Sequence, residues 1–387
     1  MANTLNLGNG NWATKEDSLL AYNSENGNFK PLPFDFTRAS SATVVNKAGL
    51  IETVGSGEPR IDFSNDAKGA LLLEPQRSNY ITYSNGFDND AWLKVGGAIT
   101  PNIGVSPDGS LNADRFYIST AAANTRLYIN YTYSASTYTA SVYAKNNGNT
   151  NTFRFSYADS GGQSFSPNFT LTNQWQRFEY TFTSVGGSGV FWFATTSSTG
   201  VGSELDIQIF GAQLEQGSYA TSYIPTQGSA VTRSADSSSQ TSPTGIIGQT
   251  EGTVFLDFIY NHSNTSISEN LSLSDGSSSN RLYIGNVFAN TLSCLIIANS
   301  VVQFSAFTSY NLVIGQRYKA ALCYKLNNFS FYVNGVEIAT DTSGSVPLMN
   351  RIGFDSGSGT SNFYKPTNQV KLYNTRLSNS ELQALTK

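Results

Sequence analysis

Residues 176–182 read Gln-Arg-Phe-Glu-Tyr-Thr-Phe, and this strict alternation indicates the fold class. The aromatic side chains fall on one face of an extended chain and the polar ones on the other, as in a half-buried β-strand. Residues 152–157, Thr-Phe-Arg-Phe-Ser-Tyr, repeat the pattern. Clusters rich in Asn and Gly at 146–149 and in Gly and Ser at 186–189 predict turns between such strands. The sequence therefore predicts an antiparallel β-sandwich.

The composition of the whole chain also favours β-structure. Of 387 residues, 13% are aromatic and only 13% are charged, which is about half the charged share of an average soluble protein. The polar surface must then come from Ser, Thr, Asn and Gly. These residues favour strands and turns, because their side chains compete with helical hydrogen bonds. The chain length predicts two domains, or three.

Charge and apolar patterning argue against several classes of function. The net charge is −4 and no run of Lys or Arg is present, so nucleic-acid binding is not expected. No stretch approaches the roughly 18 apolar residues of a membrane helix. Residues 1–6 lack the basic start and apolar run of a signal peptide, so synthesis in a cytoplasm is expected. Cys294 and Cys323 are expected to be buried free thiols.

The patterns divide the chain into regions. Residues 1–80 hold few strand-like runs, residues 81–228 hold short alternating segments, and a second strand series fills 251–387. Between the two series, residues 229–250 are rich in Ser, Thr and Gln and nearly free of large apolar side chains. This composition is typical of a linker, and a linker is predicted there.

Two local signals in the second series are strong. Asn334-Gly335 separates two apolar runs and predicts a tight hairpin, because both central turn residues need positive φ. Ser378 and Glu381 have the spacing of a capping box, which predicts one short helix from Glu381 to Leu385.

One set of motifs resembles a segment common in tail-fibre and appendage proteins of tailed bacteriophages. The motifs are Phe34-Asp-Phe-Thr-Arg-Ala-Ser-Ser-Ala-Thr43, Gly49-Leu-Ile-Glu52, Glu58-Pro-Arg-Ile-Asp62 and Leu72-Leu-Glu-Pro-Gln-Arg-Ser-Asn79. In those proteins the segment precedes a jelly roll that resembles carbohydrate-binding modules. The motifs at 87–92, 138–145 and 213–226 are similar to that jelly roll. Residues 331–335 and 372–382 resemble a laminin-G-like (concanavalin-like) sandwich.

These resemblances imply an all-β chain of two antiparallel jelly-roll or concanavalin-like sandwiches in tandem, behind an irregular N-terminal attachment segment. They imply a virion structural protein, in a tail fibre, spike or capsid decoration, that binds host surface glycans with its terminal sandwich. Residues 1–80 would dock on other virion proteins, and a homotrimer is expected without cofactor, membrane insertion or nucleic acid. Two alternatives stay open: a purely architectural decoration protein without ligand, and a capsule depolymerase.

Residues for catalysis are scarce. The single histidine, His262, has no second histidine or nearby cysteine and is expected in a solvated loop. In Glu204-Leu-Asp-Ile-Gln208, alternation places Glu204, Asp206 and Gln208 on one strand face, as in laminarinase-like glycosidases. Such enzymes need a second carboxylate as acid, and Gln208 cannot supply it. No catalytic residue is therefore expected, and the chain is not expected to be an enzyme.

Tryptophan is the main candidate for ligand contact. In Val190-Phe-Trp-Phe-Ala194 both strand faces are apolar, so one of them must face away from a two-sheet core. Trp192 is therefore the candidate ligand-binding residue, lining a glycan groove. The same face could instead pack on the N-terminal segment or a neighbouring subunit. Trp92 and Trp175 are expected in the core.

No metal site is expected. Asp62 with Asn65 and Asp66, and Asp275 with Asn280, offer oxygen ligands, but their spacing matches no defined calcium loop. We interpret both groups as solvated turns.

Overall fold

The computed structural model describes residues 4–15, 18–21, 33–119, 125–148, 152–195, 204–241, 245–263, 268–288 and 290–387. Within these ranges the strand ladders are antiparallel and there is one α-helix, which confirms the predicted all-β class. No helix in the described part of the chain is long and apolar enough to cross a membrane.

In its described residues, the N-terminal region contributes nine short strands. They are β1 (Leu5–Gly8), β2 (Ala13–Lys15), β3 (Ser18–Leu20), β4 (Pro33–Thr37), β5 (Ala42–Val45), β6 (Ile51–Val54), β7 (Ile61–Asp62), β8 (Ala70–Leu71) and β9 (Arg77–Asn79).

The described part of the first sandwich contains the next nine strands. They are β10 (Leu93–Val95), β11 (Ala98–Val105), β12 (Leu111–Ile118), β13 (Arg126–Asn146), β14 (Thr152–Asp159), β15 (Gly162–Phe165), β16 (Phe169–Thr170), β17 (Gln176–Thr195) and β18 (Leu205–Gln216). The strand order is β11-β12-β18-β13-β17-β14-β15, with β10 on β13 and β16 on β14.

Two long strands let this sheet fold over one core. The first half of β13 pairs with β10 and the second half with β18, while β17 accompanies β13 along nearly its whole length. Both halves send side chains into the same aromatic cluster. Gly186 and Gly187, with φ of 95° and 98°, lie inside β17. The turn predicted at 186–189 is therefore wrong: there the chain continues as strand through a conformation that favours glycine.

The remaining strands and the helix follow in the C-terminal part. They are β19 (Val231–Arg233), β20 (Ser237–Thr241), β21 (Glu251–Ile259), β22 (Glu269–Ser274), β23 (Arg281–Phe288), β24 (Thr291–Ala298), β25 (Val301–Asn311), β26 (Arg317–Lys325), β27 (Phe329–Val333), β28 (Val336–Asp341), β29 (Arg351–Gly353), β30 (Thr367–Tyr373) and α1 (Asn379–Thr386).

The second sandwich packs two sheets against each other. One sheet has the order β28-β27-β26-β21-β30-β8-β7, with β1 also paired to β30. The other has the order β2-β3-β4-β20-β29-β22-β23-β24-β25. The apolar cluster between them includes residues from both sheets. Helix α1 covers the outer side of the first sheet, where Leu382 packs with Phe255 and Tyr332.

The N-terminal region is part of this sandwich. Leu5 and Leu7 are fully buried where β1 pairs with β30, and Leu19 and Phe34 enter the same core from β3 and β4. The expectation of an irregular segment is therefore wrong for these residues. Short strands with two or three apolar side chains gain stability by completing the edges of sheets formed elsewhere in the chain.

The prediction of a linker at 229–250 is also wrong where this stretch forms β19 and β20. β19 pairs with β9, and β20 lies between β4 and β29 inside a sheet. Ser238 and Gln240 are 2% and 6% exposed, so the polar side chains of this stretch are buried. Composition suggested a solvated linker, whereas the backbone of β20 supplies the hydrogen bonds that join the neighbouring strands.

The local signals are confirmed. Asn334 and Gly335, with φ of 47° and 80°, join β27 and β28 as a hairpin. Ser378 and Glu381 form the capping box of α1. Cys294 and Cys323 are buried free thiols.

Candidate functional site

The outer face of the first sandwich carries an ordered row of aromatic side chains. The strand register places Tyr128 opposite Trp192, Trp192 opposite Ser156 and Ser156 opposite Phe165, across four neighbouring strands. The intervening residues Leu127, Phe155 and Phe193 point into the core, each no more than 1% exposed. The row therefore follows from the two-residue period of β13, β17 and β14.

Trp192 lies at the centre of this row but is covered. It is 4% exposed, and the Phe165 ring stands edge-on to it at 6.3 Å with an interplanar angle of 88°. Phe165 itself is 37% exposed. In this arrangement the Phe165 ring is more accessible than the Trp192 ring. Ligand binding by Trp192 itself stays a prediction.

Two arginines lie beside the row. Arg126 Cζ is 4.8 Å from the ring centre of Tyr128 and 5.4 Å from that of Trp192. Arg154 Cζ is 3.9 Å from the ring centre of Phe165. These three rings and two guanidinium groups are called the aromatic–arginine face below. Its geometry combines flat apolar surfaces with in-plane hydrogen-bond donors.

Neither arginine has a counter-charge among the described residues. The two residues form no ion pair there, and the Nε atom of each is buried without a hydrogen-bond partner. Burial lowers the pKa of Arg154, with no nearby carboxylate to oppose it. The face therefore presents two partly desolvated cations, which an incoming polar or anionic group would stabilise.

The alternation at 152–157 already predicted that Arg154 and Ser156 point away from the core. The sequence could not show that β13 brings Arg126 and Tyr128 to the same face. That proximity depends on the pairing of β13 with β17, which is set by contacts distant along the chain.

A cleft of about 360 Å³ lies where the N-terminal region meets both sandwiches. Tyr143 and Arg177 form its wall on the first sandwich, Asp62 borders it from β7, and Asn261 borders it from the second sandwich. Arg177 donates a hydrogen bond to Ser141 Oγ at 2.9 Å. This junction cleft is a second candidate site for a ligand.

Behind the cleft, a buried ion network joins Arg38, Arg60 and Glu74, from the motifs between residues 34 and 79, to Arg233 and Asp236. Arg60 donates to Glu74 Oε2 at 2.7 Å and to Asp236, and Arg38 donates to Asp236 Oδ1 at 3.1 Å. Arg233 approaches Glu74 Oε2 to 2.9 Å. Burial raises the pKa of Glu74, but Arg233 and Arg60 outweigh it and hold that pKa far below its usual value. The motifs thus converge on the junction between the two sandwiches.

His262 contributes to the same junction, and its expected place in a solvated loop is wrong. It is 2% exposed, and its Nε2 lies 3.0 Å from Glu269 Oε1. Lys365 Nζ lies 2.5 Å from Glu269 Oε2 and donates to the His262 carbonyl at 2.9 Å. Burial lowers the pKa of Lys365 to about 8, against the pull of Glu269. The histidine is buried because it is paired, which a lone residue in a polar stretch did not reveal.

The strand with the glycosidase-like spacing is occupied by structural contacts. Arg115 binds Asp206 with two hydrogen bonds of 2.7 Å, and Asn147 donates a third at 2.9 Å. Burial raises the Asp206 pKa, but these bonds lower it overall. Glu204 is exposed and accepts one long contact from Tyr117 at 3.3 Å. The side chains share a face as expected, and Asp206 is held as half of an ion pair.

The other residues singled out in the sequence are also placed. Trp92 is 1% exposed and stacks on Phe193 in the core, whereas Trp175 is only half-buried, with Lys145 over its ring. Asp62 and Asp275 accept hydrogen bonds within their own turns. Among the described residues, no group of three or more His, Cys, Asp or Glu side chains could hold a metal ion.

Comparison with known proteins gives fold-level similarity only. No family model and no curated protein sequence matches the chain. Among solved structures, the carbohydrate-binding module CBM40 of the Ruminococcus gnavus IT-sialidase is 15% identical, with a TM-score of 0.31, over 36% of this chain and 84% of that one. The CBM22-1 xylan-binding domain of Paenibacillus barcinonensis Xyn10C is 11% identical, with a TM-score of 0.28, over 37% and 94%.

A SAP-like pentraxin from Limulus polyphemus is 11% identical, with a TM-score of 0.27, over 35% of this chain and 70% of that one. The sialidase and xylanase names among such matches belong to proteins matched through their binding modules. At these scores the similarities carry no argument about ligand or activity. The sandwich architecture rests on the strand pairing described above.

Proposed function

We propose that this chain is a structural protein of a tailed bacteriophage particle and that it binds polysaccharide on the host surface through the aromatic–arginine face. The observation that carries the binding proposal is the row formed by Tyr128, Trp192 and Phe165, with a guanidinium beside each end. Aromatic rings stack on the apolar faces of sugar rings, and guanidinium groups donate to their oxygens. The motifs between residues 34 and 79 support the phage origin.

Binding without catalysis fits the side chains at hand. Asp206 is paired with Arg115, and Gln208 occupies the position where a retaining glycosidase needs its acid. A weak site becomes effective when one particle carries many copies, because later contacts are intramolecular.

The location of binding differs from the one that the resemblance implied. The terminal sandwich was expected to contact glycan, whereas the aromatic–arginine face belongs to β13, β14, β15 and β17 of the first sandwich. Assembly as a homotrimer stays a prediction, and sedimentation of the purified 41.8 kDa chain would check it.

A panel of bacterial surface polysaccharides tests the binding proposal. The full-length protein should bind at least one polysaccharide, and Phe165→Ser should weaken that binding about tenfold because one stacking ring is lost. Leu326→Ser is the matched control, since Leu326 is 63% exposed on the second sandwich. Equal weakening by both variants, or no binding by the unmodified protein, would contradict the proposal.

Labelling of virions with antibody against this chain tests the particle assignment. Label at the tail or capsid is expected, and its absence from purified virions would overturn that part. Labelled particles whose protein binds no polysaccharide would instead support the architectural alternative.

A further inference from the structure

Two Arg-x-Tyr segments, on strands β12 and β13 of the first sandwich, have different electrostatic surroundings. In Arg115-Phe-Tyr117, the guanidinium lies 4.5 Å from the Tyr117 ring centre and is paired with Asp206 through two 2.7 Å hydrogen bonds. In Arg126-Leu-Tyr128, the guanidinium lies 4.8 Å from the Tyr128 ring centre. No described carboxylate pairs with Arg126, so the second segment repeats the stacking without the counter-ion.

Arg154 also has no carboxylate paired with it among the described residues. Its guanidinium lies over Phe165 at 3.9 Å, and burial lowers its pKa. The segments that adjoin this end of the sheet in sequence, 120–124, 149–151 and 196–203, contain no aspartate or glutamate. These three segments therefore offer no carboxylate for either arginine, and the described contact of Glu204, which follows the last of them, is with Tyr117.

The register fixes the spacing of the two arginines. Arg126 and Arg154 both pair with Ala194, from opposite sides, so they lie on strands two apart. Adjacent strands are about 4.8 Å apart, which places the two backbones roughly 10 Å apart across the sheet. This separation is comparable to the length of an extended disaccharide, and the aromatic row runs in the same direction.

We infer that the aromatic–arginine face takes an acidic polysaccharide that carries one carboxylate in each disaccharide repeat. This inference rests on the proposed function and adds the chemical class of the ligand. Successive carboxylates would meet Arg126 and Arg154, whose planar donors suit bidentate hydrogen bonds to carboxylate. The sugars between them would lie along the rings of Tyr128 and Phe165. The net charge of −4 and the lack of a longer basic stripe make a nucleic acid a poorer match.

Binding of the full-length protein to hyaluronate and to its carboxyl-reduced form tests the inference, because the two polymers share a backbone and differ in charge. We expect at least about tenfold tighter binding to hyaluronate, equivalent to one charge-assisted contact or more. The difference should shrink between 50 and 200 mM salt, since salt screens partly exposed charges (about 10 Å screening length at 0.1 M).

Charge variants test whether the preference for hyaluronate arises at the aromatic–arginine face. Arg126→Gln and Arg154→Gln should each remove most of the preference for hyaluronate, and Arg126→Lys should restore part of it. Arg115→Gln is the matched control, because Arg115 stacks on a tyrosine but is already paired with Asp206. Unchanged thermal unfolding of each variant would show that it is folded.

Three outcomes would overturn the inference. They are equal binding to the carboxyl-reduced polymer, equal loss of preference in Arg115→Gln, and binding to poly-glutamate as tight as to hyaluronate. A protein that binds a neutral polysaccharide through Phe165 would fail this test while satisfying the one for the proposed function. A protein that binds neither the bacterial polysaccharides nor hyaluronate would fail both.

Discussion

Tyr219 and His262 stack face to face, with ring centres 3.6 Å apart and 11° between their planes. Tyr219 follows the last strand of the first sandwich, whereas His262 follows β21 of the second. Arg77 lies over Tyr219 at 5.4 Å, and Glu269 and Lys365 both contact His262 at its Nε2 atom. The two sandwiches are therefore joined through a buried and titratable contact.

We expect this contact to make stability depend on pH. Burial lowers the pKa of folded His262; the hydrogen bond to Glu269 opposes this, and Lys365 and Arg77 add to it. Below the ordinary histidine pKa of about 6.5, the unfolded chain therefore binds more protons than the folded one. Stability from this site is present above that pH and is lost as the pH falls through it toward the lower folded value.

Urea unfolding from about pH 5.5 to 7 checks this, because the lowered folded pKa of Glu269 lies below that window and the folded pKa of Lys365, about 8, lies above it. The free energy of unfolding should rise with pH in the unmodified protein. His262→Gln should flatten that rise, whatever its effect on absolute stability. Equal slopes for the two proteins would show that His262 does not titrate as described.

The buried ion network should be sensitive to the loss of one charge. Asp236→Asn leaves Arg38 and part of Arg60 without their carboxylate, so we expect a loss of about 3–5 kcal/mol in the free energy of unfolding. Asp206→Asn is the control, because the Arg115–Asp206 pair is a quarter to a third exposed and should cost about 1 kcal/mol or less. Similar losses of unfolding free energy in both variants would contradict the claim that the buried network contributes more to stability than the partly exposed pair.

The N-terminal strands should be indispensable to the second sandwich. Leu7 is 0% exposed where β1 pairs with β30. Leu7→Ala should therefore cost about 2–5 kcal/mol, whereas Leu326→Ala, at a 63% exposed position, should change stability by about 0.5 kcal/mol or less. Calorimetric unfolding checks this prediction. A Leu7→Ala variant as stable as the Leu326→Ala control would show that the second sandwich does not need the N-terminal strands for its stability.

The features predicted from sequence were those whose physical cause lies within a few residues. Asn334-Gly335 specifies its own turn through positive φ, and Ser378 with Glu381 specifies its own helix start. The alternation at 152–157 likewise fixes which side chains face the core. Each signal is complete within one strand or turn.

The features that were missed depend on distant partners. Ser238 looks solvated in sequence and becomes buried only because β4 and β29 lie on either side of it. His262 is buried because Lys365 and Glu269 are brought to it. Trp192 lies on the outer face, and the Phe165 ring beside it comes from the hairpin that follows β14.

The glycosidase-like strand should be dispensable for function. Glu204 is exposed, and its described contact is a single 3.3 Å hydrogen bond from Tyr117. Glu204→Gln should therefore leave polysaccharide binding and thermal stability unchanged, and neither protein should release reducing ends from any polysaccharide it binds. Release that the substitution abolishes would establish the depolymerase alternative instead.

Hydrogen exchange of the full-length protein, with and without the polysaccharide that binds it best, locates the contact most directly. β15 is suited to this measurement, because it pairs with β14 alone among the described strands and its other edge is open. Bound polysaccharide should slow exchange at 162–165 and at the start of β13. Slowed exchange confined to the junction cleft, around Tyr143 and Arg177, would contradict binding at the aromatic–arginine face.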